Sequence, residues 1–148
     1  GLFEKGMEVY NNVAAMNPSR YADAIAKAKE MIVLYTNNQV AKMQSEGNND
    51  GVIALAESML ATDPASALAE KIRLQAYSGK KEYDKVIELG ETAALAQTDE
   101  EDKSAVYFNL GSAYNAKENK AKAIETLKKV TAEPYATPAK AAVAELSK

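Results

Sequence analysis

The chain has 148 residues, 47% of them hydrophobic but only 7% aromatic, so it is one domain or one stacked array with a core of small residues suited to closely spaced helices. Its 18 basic and 21 acidic residues leave a net charge of −3, which provides no basic face for nucleic acid. The absence of Cys and His removes thiol nucleophiles, imidazole acid–base chemistry, disulfide frameworks and the common structural zinc sites.

In chain order, a first helical segment from Gly1 holds Tyr10 and closes at Asn17-Pro18. Asn17-Pro18, Asp63-Pro64 and Thr137-Pro138 each set a capping residue before a proline at a first helical position, which predicts helix starts at these three places. No Gly or Pro interrupts Ser19 to Glu46, and Tyr21, Ile25, Ala28, Ile32 and Tyr35 recur at helical spacing, so one long helix with a single apolar stripe is expected. The poor helix formers Thr36-Asn37-Asn38 offer the alternative of two helices. Gly47-Asn48-Asn49-Asp50-Gly51 and Ser78-Gly79 read as tight turns, and Thr98-Asp99-Glu100-Glu101 as a capping-box start with acids at the positive end of the helix dipole. A terminal helix from Pro138 is expected to cover the last helix pair with Val143 and Leu146. No apolar run approaches the ~20 residues of a membrane span. The chain starts Gly-Leu-Phe rather than Met, which fits removal of a leader or upstream region, and composition assigns no compartment.

The chain repeats itself. Ala76-Tyr77 recurs 37 residues later as Ala113-Tyr114, and Val86-Ile87-Glu88 falls on Ala123-Ile124-Glu125 at the same offset. Within Val106 to Glu125, the small residues Gly111, Ala113 and Ala123 are placed where two antiparallel helices must touch, and Tyr107, Leu110 and Tyr114 fill the gaps around them. These residues resemble the tetratricopeptide repeat (TPR) family, whose units of about 34 residues run aromatic, Leu-Gly, Ala-Tyr, a small residue in the second helix and a closing Pro. A unit from Ser104 matches with Tyr107, Leu110-Gly111, Ala113-Tyr114 and Ala123, its first helix starting about three residues ahead of the family register. A unit from Ala67 keeps Leu74, Tyr77, Tyr83 and Val86 but has Glu70 at the first aromatic place. One from Val33 keeps Gly47, Val52 and Pro64, with Met43 replacing the tyrosine. Gly1 to Pro18, with Phe3 and Gly6, resembles the second half of a repeat whose partner helix would lie upstream.

The resemblance implies an all-α, right-handed α-α superhelix of antiparallel helix pairs: a half-repeat over 1–18, an irregular repeat with a long first helix over 19–66, repeats over 67–103 and 104–137, and a capping helix over 138–148. It also implies a concave groove lined by Leu34, Asn37, Ala41 and Gln44, then Lys71, Gln75 and Ser78, then Ala105, Phe108, Asn109, Ser112 and Asn115. With Lys71 as the sole cation, that set lacks a carboxylate clamp for acidic tails, and an exposed Phe108 beside Asn109 and Asn115 is the expected anchor for an extended peptide.

The expected function is a non-enzymatic scaffold, without cofactor, that binds a peptide segment or partner protein. The alternatives are self-association into a homo-oligomer through Gly1 to Tyr10, or service as an accessory domain of a larger protein. A second pattern overlaps the turn at Gly47. Glu46, Asn48, Asp50 and Glu57 fall at ligand places of an EF-hand calcium loop, with Gly51 at its invariant glycine, although Glu46 stands where Asp belongs and an ordinary turn explains the same residues. Asp99 to Asp102 reads as a helix start, the Lys-rich stretch from Lys117 to Lys129 as a solvated face, and no serine has a histidine to activate it.

Overall fold

The computed structural model describes residues 2–16 and 19–148, and the described residues are all-α, with no strand. Eight helices follow one another: α1 (Leu2–Met16), α2 (Ala22–Ser45), α3 (Asn49–Thr62), α4 (Ala67–Gly79), α5 (Tyr83–Ala96), α6 (Glu100–Ala116), α7 (Lys120–Leu127) and α8 (Ala136–Leu146). They fall into two compact units, Gly1–Pro64 and Ala65–Lys148. In the first unit α1, α2 and α3 pack on one another, and Ser58 on α3 donates a 2.6 Å hydrogen bond to Glu4 on α1. In the second, each helix packs on the next, and α4 also packs on α6.

Three turns of one geometry join α2 to α3, α4 to α5 and α6 to α7. Each passes through a left-handed residue, Gly47 (φ 69°), Lys81 (φ 61°) and Glu118 (φ 61°), spaced 34 and 37 residues apart. The next amide reaches back five residues to close the helix end: Asn48 to the Met43 carbonyl at 2.7 Å, Glu82 to Tyr77 at 3.0 Å, Asn119 to Tyr114 at 2.9 Å. The left-handed residue's own amide bonds the carbonyl three residues back, on Gln44, Ser78 and Asn115. Together these bonds satisfy carbonyls that a helix end otherwise leaves open. The residue that closes one helix also opens the next, and Asn48 and Asn119 cap α3 and α7 by accepting the Gly51 and Lys122 amides.

The same spacings carry the core. Val52, Val86 and Ala123 occupy one repeated place on the second helices, and all are fully buried. Val40, Leu74 and Gly111 occupy one on the first helices, and all are buried. A Cβ added to Gly111 would lie 2.6 Å from Leu127 Cγ, so glycine lets α6 and α7 approach there. At Gly90 an added Cβ would lie 2.5 Å from a Leu110 methyl, which marks the same kind of approach between α5 and α6. Loops are tied to these pairs from the side: buried Gln97 donates to the Ala67 carbonyl at 2.8 Å, and buried Ser104 accepts the Thr131 and Ala132 amides at 3.1 and 3.0 Å.

Several expected boundaries move. α2 is one uninterrupted helix through Thr36-Asn37-Asn38, but it begins at Ala22 rather than next to Pro18, after a turn over 19–21. Asp63 closes α3 in an extended conformation, and Ser66, accepting the Ala69 amide at 3.2 Å, caps α4 beyond Pro64. Asp99 caps α6 by accepting the Asp102 amide, so three acids fill its first turn. α8 starts at Ala136, and Pro138 sits inside its first turn, where no intrahelical bond needs its missing N–H. The expected Asn17-Pro18 start lies outside the described residues. Ala139 is buried, while Val143 and Leu146 pack against the core of the second unit.

Candidate functional site

In the second unit α4, which carries Lys71 and Gln75, packs on α6, which carries Phe108, Asn109, Ser112 and Asn115, and three of these six, Lys71, Phe108 and Asn109, are already engaged within the chain. Lys71 Nζ lies 2.8 Å from an Asp102 carboxylate oxygen, so the one cation of the set neutralises a neighbouring helix. The Asn109 amide donates to the Ala105 carbonyl of its own helix at 2.8 Å, and Ala105 is buried. Phe108 is not the exposed anchor its place in the repeat implied. It is half-buried, packed against the core, with its ring centroid 5.8 Å from that of Tyr135 at 43°. Tyr135 directly precedes α8, so the terminal helix brings the cover for Phe108 with it. Gln75 and Ser112 are half-buried and Asn115 is exposed. Asn37 and Gln44 are exposed on α2 in the first unit, together with Leu34 and Ala41.

The turn at Gly47 does not form a calcium loop. An EF-hand wraps twelve mainly non-helical residues around the ion, whereas here the chain is helical from Asn49. Asn48 spends its side-chain oxygen on the Gly51 amide at 2.9 Å, while Asp50 and Glu57 project from α3, nearly two turns apart. Glu46, Asn48, Asp50 and Glu57 therefore do not converge, and among the described residues no three His, Cys, Asp or Glu side chains gather as metal ligands.

The surface that stands out was only partly legible in advance. Among the described residues, the exposed large apolar side chains are Val9, Met16, Tyr21, Met31, Val33, Leu34 and Tyr35 in the first unit, against Leu95 alone in the second. Of the expected apolar stripe on α2, Ile25, Ala28 and Ile32 are half-buried while Tyr21 and Tyr35 are exposed. Met31, Leu34 and Tyr35 are 71%, 62% and 45% exposed, a run at helical spacing that shares Tyr35 with that stripe and adds Met31 and Leu34 beside it. Toward α1 an open apolar groove of about 240 Å³ runs between Gly6, Val9, Tyr10 and Val13 on one wall and Ala24, Ile25 and Ala28 on the other. Nothing lies within 4 Å of where a Gly6 Cβ would stand. The warning in the sequence was that Met31, Val33 and Leu34 lie off the stripe, which makes α2 apolar on more than one side.

No helix among the described residues is long and apolar enough to cross a membrane. No protein-family model, curated protein or solved structure matches the chain.

Proposed function

We propose that this chain is a non-enzymatic protein-interaction module of the tetratricopeptide-repeat kind, for which a right-handed superhelix is the implied stacking, and that its contact surface is the apolar side of α1 and α2. The observation that carries the proposal is the concentration of exposed Val9, Met31, Leu34 and Tyr35 on these two helices beside an open apolar groove. Large apolar side chains gathered on two packed helices are the kind of surface that protein partners cover, because each Å² of apolar area removed from water contributes roughly 25 cal/mol. The repeated turns and the repeated buried places support the helical-repeat part. The α4–α6 face ranks second as a contact surface, because Lys71, Asn109 and Phe108 are satisfied within the chain.

The test is affinity capture with the immobilised chain and with a Leu34→Glu chain of unchanged circular dichroism. Proteins enriched on the parent chain and lost from the variant agree with the proposal. Equal capture by both, or capture lost instead with Gln75→Ala and Asn115→Ala, would move the contact surface off α2.

A further inference from the structure

We infer that the occupant of the α1–α2 face is a second copy of this chain, with α2 of one protomer lying antiparallel across α2 of its partner over Met31, Leu34 and Tyr35. This deepens the interaction-module proposal and rests on it.

The repeat itself provides the comparison. The 34- and 37-residue spacings of the equivalent turns superpose Met31, Leu34 and Tyr35 of α2 on Asp102, Ala105 and Val106 of α6. In the second unit that side of α6 meets α4: Lys71 of α4 reaches Asp102 at 2.8 Å, and Ala105 and Val106, three and four residues on, are buried. On α2 the same three places carry larger, uncharged side chains, and all three are exposed. A covering element here needs no cation corresponding to Lys71. What it needs is an apolar row at helical spacing, which α2 itself presents.

Area and charge favour a second copy. Stable interfaces bury about 800 Å² per partner, roughly 60% of it apolar, or on the order of 500 Å² of apolar surface. A large apolar side chain moved from water to contact contributes on the order of 100 Å². Val9, Met31, Leu34 and Tyr35 supply most of that range, and the half-buried groove side chains Tyr10 and Val13 add a smaller share. The first turn of α2 holds Asp23 and its last turn Lys42, equidistant from a centre between Met31 and Leu34, while Lys27, Lys29 and Glu30 lie between Asp23 and that centre. Two copies of α2 crossing antiparallel about that centre bring Asp23 of each toward Lys42 of the other, while a parallel crossing sets like charges together.

Sedimentation equilibrium of the full chain over a wide micromolar range tests this. The parent chain is expected to convert from monomer to dimer with concentration, Leu34→Glu to weaken the dimer at least tenfold at unchanged helicity, and Leu95→Glu, at a still more exposed leucine in the other unit, to leave it intact. Asp23→Lys is expected to weaken it as well, with Lys42→Asp added to the same chain restoring it. A parent chain monomeric throughout overturns the inference and leaves affinity capture to judge the broader proposal. A dimer that survives Leu34→Glu, or that Leu95→Glu dissolves, overturns it too, and failed rescue by the charge exchange rejects the antiparallel crossing.

Discussion

At the scale of single residues, the three helix-pair turns make one conformation with three different residues, and the energetics separate them. Gly47 adopts φ 69° without steric cost, and a Cβ placed there would meet nothing within 4 Å. Gly47→Ala therefore isolates the backbone term and should lower stability by about 1 kcal/mol, read from the midpoint of a urea melt. Lys81 and Glu118 already bear that strain, so no glycine marks the left-handed place of the second or the third turn. Ser78-Gly79 marked the right neighbourhood, but Gly79 ends α4, and the left-handed place is two residues further on. Glycine is a sign of such a conformation only when the chain has not found another way to hold it.

Gly111 illustrates the opposite case, in which packing rather than φ requires glycine. Gly111→Ala drives a Cβ into Leu127 and should cost about 1–3 kcal/mol, less what alanine returns in helix propensity. Leu127→Ala alone opens a cavity in a buried site. The double variant, in which the new methyl enters the space that leucine left, should be less destabilised than the two single effects added. Strict additivity in denaturant melts would mean that the helices do not meet there. This contact was readable from the spacing of Gly111 and Ala123. The engagement of Phe108 was not, because Tyr135 lies 27 residues away and only the position of α8 brings the two rings together.

At the scale of elements, α8 shows how the last helix pair is closed. Ala139, Val143 and Leu146 lie on one side of it, against the core. Deleting residues 138–148 should lower the melting temperature and expose Val130 and Leu127, seen as increased binding of a hydrophobic dye. An unchanged melt with no dye response would reduce α8 to a tail. Its start depends on Glu133, whose carboxylate accepts the Thr137 hydroxyl and the Thr137 amide. The hydroxyl bond first, and the amide bond second, hold the Glu133 carboxyl below the ordinary carboxylate range. Because its pKa is lower in the folded chain than in the unfolded one, Glu133 stabilises the fold above the ordinary carboxylate pKa, and the contribution is lost as pH falls through the lowered folded value. Glu133→Gln should accordingly flatten the acid limb of the stability profile. An acid limb identical to that of the parent chain would show that the interaction is screened away at this exposed position.

Helix existence along the chain was largely legible, because periodicity and caps are local. Helix starts at Pro64 and Pro138 were displaced because Ser66 and Glu133 supply competing caps. The long α2 was readable from the absence of Gly and Pro between Ser19 and Glu46. Which of its sides would stay uncovered was not, since that depends on which helices pack where.

At the scale of the whole molecule, the chain consists of two units with different surfaces. Among the described residues the second leaves Leu95 alone of its large apolar side chains exposed, while the first leaves the row on α2 and the α1 groove in water. That asymmetry is the ground for assigning contact to the first unit. Hydroxyl-radical footprinting across a concentration series tests the assignment most directly, because Met31 and Met16 are exposed while Met59 is buried, and each can be followed in one experiment. The expected result is rapid modification of Met31, Leu34 and Tyr35 in dilute solution and their progressive protection on association, with Leu95 unchanged and Met59 protected throughout. Protection that appears instead at Gln75, Ser112 and Asn115, with Met31 reacting equally at every concentration, would contradict it.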